Sequence, residues 1–416
     1  MTPRTQARSS ATSNRAASRR LHGIDAARGL ALLGMMATHL LPTFESDAQL
    51  TPTWVGLVFS GRASALFAVL AGVGLALSTG KNRPPAGPEL WRARRGITLR
   101  AVVIAAVGLS LGTLEVNLAI ILVHYAVLFL CILPFLGMEP GRLCAWAGGW
   151  ILASPLLAYL LRPWFLAAEP PMKLGHNPSW EDMSTPARLL GDLFFTGYYP
   201  VFQWLSYVLV GLVVGRLVLE RALVPVVLLV GGMAVALPAK WLGTAAMQDW
   251  GGLEALEAVV NSPGYPLANI LQVNLTGIPQ EDSWWWLASA APHSGTTLDL
   301  LHTAGNAVAV IGAFLLLGRL AEWVNLDLLL PLRGAGAMTL TLYSAHVWVM
   351  SGLYGEPVPP GWTEGGLYFV QAATALAAGV VFALLQRRGP LEWAAHSAAR
   401  LGRGELPGRG RLSARR

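Results

Sequence analysis

Apolar stretches long enough to cross a lipid bilayer alternate along this chain with short polar connections. Because roughly 20 apolar residues in an α-helix span the hydrocarbon core, each stretch predicts one transmembrane helix. The pattern predicts an all-α fold, a polytopic bundle of about ten spans. These spans are 24–42, 54–79, 98–114, 117–136, 141–161, 199–219, 222–241, 297–319, 335–353 and 366–386. A further short apolar piece near 284–291 allows an eleventh, re-entrant element.

The charges of the connections predict how the bundle is oriented. Arginine and lysine collect at both ends of the chain and in every second connection, whereas the alternate connections are acidic or nearly neutral. An excess of Lys and Arg marks cytoplasmic loops. We therefore expect a multi-pass protein of the cell membrane with both termini in the cytoplasm. Three regions follow: a disordered basic arm over 1–20, a transmembrane domain over 21–390 and a basic tail over 391–416.

Composition supports this class and narrows the partners. Hydrophobic residues make up 54% of the 416 positions and charged residues 13%, and the mean hydropathy is +0.50, values that exclude an ordinary soluble enzyme. The formal net charge of +7 is explained by topology signals, so it predicts the lipid bilayer rather than nucleic acid as a partner. His and Cys spacing does not fit a structural zinc site, and we expect no metal.

The first predicted span carries ionisable residues on one face. Asp25 and Arg28 lie near its start and His39 near its end, at the three- and four-residue spacing of a helix. Fourteen residues at 1.5 Å each place Asp25 and His39 roughly 21 Å apart. Because ionisable groups inside a membrane usually face a bundle interior or a cavity, this helix predicts one wall of a site that runs through the membrane.

Histidines concentrate at the predicted extracytoplasmic side, where they suit proton transfer near neutral pH. His39, His293, His302 and His346 belong to this group, although each is also compatible with a plain hydrogen bond to a neighbouring helix. Asp299 precedes His302 by one helical turn, so its carboxylate is expected to orient that imidazole, and the alternative is a polar seam between helices.

Arginines and tryptophans supply two further candidates for ligand binding. Arg28 and Arg100 lie at the predicted cytoplasmic mouth, where guanidinium groups suit phosphates, although arginine there is also a topology signal. The run 284–286 is three tryptophans, which anchor a span at the membrane interface or form a stacking platform for a sugar ring.

Four segments of the chain together resemble a known group of membrane enzymes. They are the first-span motif over 23–36, the second-span stretch 60–72, the sixth-span stretches 196–200 and 211–216, and the ninth-span motif 336–346, which ends in Leu-Tyr-Ser-Ala-His. In these motifs the chain resembles the transmembrane acyltransferase group over about residues 20–390. That group includes heparan-alpha-glucosaminide N-acetyltransferase, the YeiB-like bacterial proteins and, more distantly, the acyltransferase-3 family.

The resemblance implies a reaction and a set of site residues. Acetyl-CoA on the cytoplasmic side would donate an acetyl group to a hydroxyl or amine of an extracytoplasmic glycan, with a histidine as the catalytic residue. Thr51 stands where the animal lysosomal enzyme has its catalytic histidine, whereas His39 aligns with the first-helix histidine of the acyltransferase-3 proteins. The implied sites are catalytic His39, assisted by His302 with Asp299 or by His346; CoA-binding Asp25, Arg28 and Arg100; and acceptor-binding Arg62, Trp285, His293 and Tyr343.

Two other classes of function stay open on the sequence. The same polar stripe suits a transporter or permease for a small or lipid-linked solute, against which the lack of a long internal repeat argues mildly. Thr51 also keeps open a catalytically silent membrane protein. The oligomeric state is undetermined, and a homodimer is compatible with the sequence.

Overall fold

A computed structural model describes residues 21–168, 172, 174–260, 266–275, 277–324, 327–355, 358 and 360–405. The predicted arm over 1–20 and the last part of the predicted tail, 406–416, lie outside these residues. Within them the chain is helical, and the extended pairing is limited to one isolated antiparallel bridge between Phe44 and Pro52. The predicted all-α class is confirmed.

Sixteen α-helices make up the described fold, and short 3-10 and π turns join some of them. In chain order they are α1 (His22–Leu40), α2 (Trp54–Phe59), α3 (Arg62–Ser78), α4 (Gly87–Gly112), α5 (Leu122–Cys131), α6 (Pro140–Leu166), α7 (Pro186–Gly191), α8 (Val201–Arg216), α9 (Val224–Gln248), α10 (Gly252–Val260), α11 (Leu267–Val273), α12 (Thr297–Trp323), α13 (Leu330–Gly336), α14 (Thr339–Ser351), α15 (Glu364–Leu384) and α16 (Pro390–Gly402).

Six helical stretches in the described residues are long and apolar enough to cross a membrane unaided, and a seventh would be α7 and α8 taken together across a 60° bend. The six are Trp54–Ser78, Gly87–Gly112, Pro140–Leu166, Val224–Gln248, Thr297–Trp323 and Glu364–Leu384. The first, fourth and ninth predicted spans fall on the shorter helices α1, α5 and α14. The count of ten spans therefore stays a prediction, and the proposed re-entrant piece is a five-residue 3-10 helix, Trp284–Ala288.

The fourth predicted span begins later than expected, because residues 113–121 are not helical. Leu118, Ile120 and Ile121 are nevertheless buried. The side chain of Asn177 compensates for the missing helical bonds: its Oδ1 accepts from the Ile120 backbone N–H at 2.8 Å, and its Nδ2 donates to the Leu118 carbonyl at 2.8 Å. Buried backbone must be hydrogen-bonded, so this amide allows a non-helical stretch inside an apolar bundle. We call residues 117–121 the dividing segment.

Glycines allow several helices to touch backbone to backbone. A Cβ at Gly232 of α9 would lie 2.5 Å from the Gly305 carbonyl oxygen of α12. A Cβ at Gly211 of α8 would lie 1.9 Å from the Val69 carbonyl oxygen of α3. Both distances are far below van der Waals contact, so any larger residue would push these helices apart.

Arg216, in the sixth-span motif, has a structural role at the end of α8. Its buried guanidinium donates to the carbonyl oxygens of Thr79 and Lys81, just beyond α3, and to that of Leu136 beyond α5, at 2.7 to 2.8 Å. Carbonyls at the end of a helix have no N–H donor from a following turn, so they need a partner from elsewhere in the chain. Arg216 thereby joins three chain segments.

The last helix belongs to the bundle rather than to a separate tail. A Cβ at Gly402 of α16 would lie 2.5 Å from the Arg95 carbonyl oxygen of α4, so these helices cross closely. Glu392 of α16 accepts from the backbone N–H groups of Leu340 and Thr341 at 2.6 and 3.1 Å, which caps the start of α14. The predicted boundary at residue 390 thus lies between helices that are in contact, since α16 packs against α4 and α14.

Candidate functional site

A cavity of about 240 Å³ lies beside the end of α1, and we call it the His39 cavity. Its lining combines hydroxyl, amide, phenol and imidazole groups with a few apolar side chains, and it carries no formally charged Asp, Glu, Lys or Arg among the described residues. The polar members are Thr38, His39, Thr43, Ser60, Ser64, Asn117, Tyr198, Tyr199, Asn274 and His293. Such a surface suits a neutral ligand that is rich in hydrogen-bonding groups.

His39 occupies the last turn of α1, and its ring contacts α14. Its Nδ1 lies 3.0 Å from Nε2 of His346 in α14, and the two rings are nearly parallel, with an interplanar angle of 8°. His346 is buried, and its Nδ1 lies 2.7 Å from Oε1 of Gln371 in α15. The structure thus brings together His39 and His346, two of the predicted site histidines. It adds Gln371, which was not among the predicted site residues.

His293 faces the same cavity from the turn before α12. Its φ of +64° is in the left-handed region, which few non-glycine residues adopt, although histidine adopts it more readily than most. Burial, and secondarily the positive charge of Arg62, lower the pKa of His293 to about 4. The ring is therefore neutral near pH 7, and the predicted role of His293 in acceptor binding stays a prediction.

A second cavity, of about 220 Å³, lies between α4, α5, α14 and α16, and we call it the Arg100 cavity. Arg100, Arg388, Glu392 and His396 form its polar part, and Phe67, Tyr125 and Phe129 form an aromatic part. The Arg100 guanidinium lies 5.5 Å from the centre of the Phe129 ring, a cation–π contact.

The Arg100 cavity is electrostatically positive. Burial lowers the pKa of His396, and the guanidinium groups of Arg388, Arg400, Arg403 and Arg100 lower it further. Four cationic groups acting on one imidazole favour an anionic ligand. Neither Arg388 nor His396 was among the predicted site residues, because Arg388 lies at the end of the predicted transmembrane domain and His396 in the predicted tail, although the basic composition there was a visible signal.

Arg28 is less available for a ligand than the sequence suggested. Its Nη1 donates to Asp25 Oδ1 at 2.7 Å, an ion pair within α1, and its Nη2 approaches the Leu70 carbonyl oxygen at 3.4 Å. The predicted helical face of Asp25 and Arg28 is therefore correct, and each group neutralises the other. Among the predicted CoA-binding residues, Arg100 is the one that lines the cavity.

Both cavities border the dividing segment, and each is lined by different residues of it. Asn117, Leu118 and Ala119 line the His39 cavity, whereas Ile121 and the following Leu122 line the Arg100 cavity. Tyr343 also lines the Arg100 cavity, and its hydroxyl donates to the Ala119 carbonyl oxygen at 3.1 Å. Tyr343, predicted on the acceptor side, thus lies at the boundary between the cavities.

The structure does not bring together Asp299 and His302 as predicted. The Asp299 carboxylate accepts from the Gly295 N–H at 3.0 Å and from the Thr303 hydroxyl at 2.9 Å. His302 instead donates from Nδ1 to the Ala236 carbonyl oxygen at 3.0 Å, and its Nε2 lies 3.2 Å from the Asn306 amide. Backbone N–H and hydroxyl donors nearer to the carboxylate take its lone pairs, so His302 belongs to a polar seam between α9 and α12.

Two predicted acceptor-binding residues lie away from the His39 cavity lining. Trp285 packs beside Gly252 at the start of α10, where a Cβ on that glycine would lie 2.9 Å from its ring. Arg62 donates to the Ser60 carbonyl oxygen at 3.3 Å, and its charge acts on Asp299 and His293. The spacing of residues along the sequence does not show how distant segments pack, so it could not predict where the Trp285 and Arg62 side chains lie.

The part of the chain that contains α1, the dividing segment and lining residues of both cavities matches a family of known proteins. Residues 20–244 match the family described as heparan-alpha-glucosaminide N-acetyltransferase, catalytic, which is more than half of the chain. The chain belongs to this family. No match was found among curated proteins. The matched region includes His39, Arg62 and Arg100, whereas His346 and Gln371 lie beyond its end.

Among the described residues, no group of three or more His, Cys, Asp and Glu side chains is placed to hold a metal ion. The titratable groups of the His39 cavity are imidazoles and phenols. Such groups bind substrates by hydrogen bonds and move protons.

Proposed function

We propose that this protein is a membrane acetyltransferase that takes an acetyl group from acetyl-CoA in the Arg100 cavity and delivers it to a hydroxyl or amine in the His39 cavity. The observation that carries the proposal is a pair of cavities with different chemistry that border the same five-residue segment. Family membership supports the reaction class.

The Arg100 cavity suits the donor in both of its parts. Arg100, Arg388 and His396 offer positive charge for the phosphates, since guanidinium groups bind phosphate oxygens at several points. The aromatic part, with Phe67 and Tyr125, suits the pantetheine arm. The thioester would then lie near Tyr343, next to the dividing segment. By the charge pattern of the connections, this cavity is on the cytoplasmic side, where acetyl-CoA is made available.

The His39 cavity suits a neutral acceptor of about the size of one sugar ring. Hydroxyl and amide groups such as Ser60, Asn117 and Asn274 match the hydroxyls of a glycan. His39 would remove the proton from the attacking hydroxyl or amine as general base. His293 would hold the acceptor from the opposite wall. The charge pattern of the connections supports an extracytoplasmic location for this cavity.

The proposed step exchanges one acyl bond for another. The acceptor oxygen or nitrogen attacks the thioester carbonyl carbon while its proton passes to His39. The carbon–sulfur bond breaks, and the CoA sulfur leaves with the electron pair and takes the proton from His39. The products are the acetylated acceptor and CoA as a thiol. Holding both reactants at the dividing segment lowers the entropic part of the barrier.

The test uses the purified full-length protein in detergent with acetyl-CoA and a panel of methyl glycosides and glucosamine as acceptors, and it follows release of the CoA thiol. We expect His39→Ala to lower the turnover by about 10²- to 10⁴-fold, the usual contribution of a general base. Binding of acetyl-CoA should persist, because His39 does not line the Arg100 cavity.

Two further variants make this test specific. His22→Ala changes a histidine at the opposite end of the same helix and should keep wild-type turnover. Arg100→Ala should weaken acetyl-CoA binding with His39 intact. The proposal fails if the wild-type protein does not bind acetyl-CoA, or if His39→Ala turns over as fast as the wild type. Failure to bind the donor would favour the permease.

A further inference from the structure

Gln371 lies in the mostly apolar helix α15, and the proposed reaction gives its side chain no role. Its amide is two hydrogen bonds away from His39, through His346. Resting on the proposed function of His39 as the base, we propose that Gln371 is a positioning residue that fixes the tautomer of both histidines and leaves Nε2 of His39 free to take the acceptor proton.

The orientation of the Gln371 amide follows from its two neighbours. Its Oε1 faces His346 Nδ1 at 2.7 Å, and its Nε2 faces the sulfur of Met350 at 3.9 Å. A thioether sulfur accepts hydrogen bonds and cannot donate them. The amide nitrogen therefore belongs next to the sulfur and the amide oxygen next to the imidazole.

The positions of the protons follow in order along the chain of contacts. An amide oxygen accepts only, so His346 carries its proton on Nδ1 and, being neutral, has its lone pair on Nε2. That lone pair faces His39 Nδ1 at 3.0 Å, so His39 must carry its own proton on Nδ1. The lone pair of His39 is then on Nε2, the nitrogen not engaged with His346. The same ordering logic positions the base in catalytic triads, where a third group orients the imidazole.

An amide at the end of this chain has a different effect from a carboxylate. Gln371 accepts a hydrogen bond but does not take up a proton, so the proton gained by His39 stays on the histidine pair and remains available to the leaving sulfur. The other titratable groups on the cavity are His293, Tyr198 and Tyr199, and Arg62 is the nearby cation on α3. They contact neither Gln371 nor the bond between the two histidines in the described residues. On α14 and α15 the titratable neighbours are Tyr343 and Tyr368, whose hydroxyls donate to the carbonyl oxygens of Ala119 and Leu33.

The test compares Gln371→Met with Gln371→Glu in the CoA-release assay across pH 5 to 9. Gln371→Met removes the acceptor while keeping a side chain of similar length, so both histidines lose their fixed tautomer. We expect kcat to fall at least about tenfold, which is part of the 10²- to 10⁴-fold contribution of a general base, with an unchanged KM for acetyl-CoA. Gln371→Glu keeps the acceptor, so most of the turnover should return, and its negative charge should move the acidic limb of the pH–rate profile to higher pH.

A matched control and a fold check make the result decisive. Gln272→Met removes an amide from α11, whose hydrogen bonds stay within that helix, and should leave the profile unchanged. A Gln371→Met protein with wild-type kcat overturns the proposal. So does a Gln371→Glu protein with wild-type thermal stability and an unshifted acidic limb, and this second readout decides the matter even if Gln371→Met fails to fold.

The outcomes also separate this inference from the proposed function. If His39→Ala is inactive and Gln371→Met is fully active, His39 remains the base and the role of Gln371 is wrong. If His39→Ala is fully active, the proposed function itself fails.

Discussion

At the scale of single residues, His293 combines an uncommon backbone conformation with a buried ring. Its Nδ1 is buried and has no hydrogen-bond partner among the described residues. Burial and Arg62 lower its pKa from 6.5 to about 4, so the folded protein holds the ring neutral. An imidazole held this way makes folding sensitive to acid.

Acid lowers the stability of the folded protein because the unfolded chain binds a proton at His293 more tightly than the folded chain does. Below pH 6.5 the unfolded chain binds a proton at His293 that the folded chain does not bind until about pH 4. Stability is therefore fully retained above pH 6.5 and falls as the pH drops towards 4, by at most about 3 kcal/mol. We expect the thermal midpoint of the wild-type protein in detergent to fall between pH 7 and pH 4.5. His293→Asn, which tolerates a positive φ and does not titrate, should lose less. Equal losses in both proteins would contradict this origin.

Local spacing along the sequence could predict which residues share a helix face, and contacts between distant residues were beyond its reach. Asp25 and Arg28 were expected on one face and form an ion pair at 2.7 Å. His39 and His346 were each expected near the site, but their contact joins residues 307 positions apart and depends on how α1 and α14 pack. Gln371 gave only the weak signal of one amide in an apolar helix.

At the scale of elements, the adjacent glycines of α9 offer a direct measure of how closely two helices pack. Gly232 faces α12, where a Cβ would meet the Gly305 carbonyl oxygen at 2.5 Å, whereas a Cβ at Gly231 would meet nothing within 4 Å. We expect Gly232→Ala to lower the free energy of unfolding by about 1–3 kcal/mol through overpacking. Gly231→Ala should be neutral or stabilise by up to about 1 kcal/mol, since alanine favours the helix.

Thermal unfolding of both alanine variants in the same detergent checks this expectation. The two substitutions add the same methyl group at neighbouring positions of one helix, so intrinsic helix propensity cancels in the comparison. Equal midpoints for the two variants would show that α9 and α12 are not in backbone contact.

Apolar runs predicted the long helices well, because burial in an apolar phase makes helix the default conformation. They did not predict the dividing segment, because Leu118, Ile120 and Ile121 are as apolar as the residues of a membrane-spanning helix and are buried. Its non-helical conformation depends on Asn177, which lies outside the run and supplies the missing hydrogen bonds. Such compensation by a distant side chain has no local signature.

At the scale of the whole molecule, the charge pattern predicts which side of the membrane each end faces. Thr51 is exposed in the loop after α1, on the predicted extracytoplasmic side, and Cys144 is exposed near the start of α6, on the predicted cytoplasmic side. In intact cells we expect a membrane-impermeant maleimide to label a Thr51→Cys variant that lacks Cys131 and Cys144. A protein with Cys144 as its one cysteine should be labelled only after the cells are opened. The reverse pattern would invert the proposed donor and acceptor sides.

The thinness of the dividing segment also has an electrical consequence. Cavities of about 240 and 220 Å³ are large enough to hold several waters each, so only a few residues of backbone separate two polar spaces. In a bilayer, the transmembrane voltage would then fall mainly across this short distance. In the proposed step the acceptor proton leaves the His39 cavity and ends on the CoA sulfur at the Arg100 cavity, so it would cross part of that voltage, which acts on one charge with about 2.3 kcal/mol per 100 mV over the full membrane. The rate of the proposed transfer would thereby respond to the energisation of the membrane as well as to its substrates.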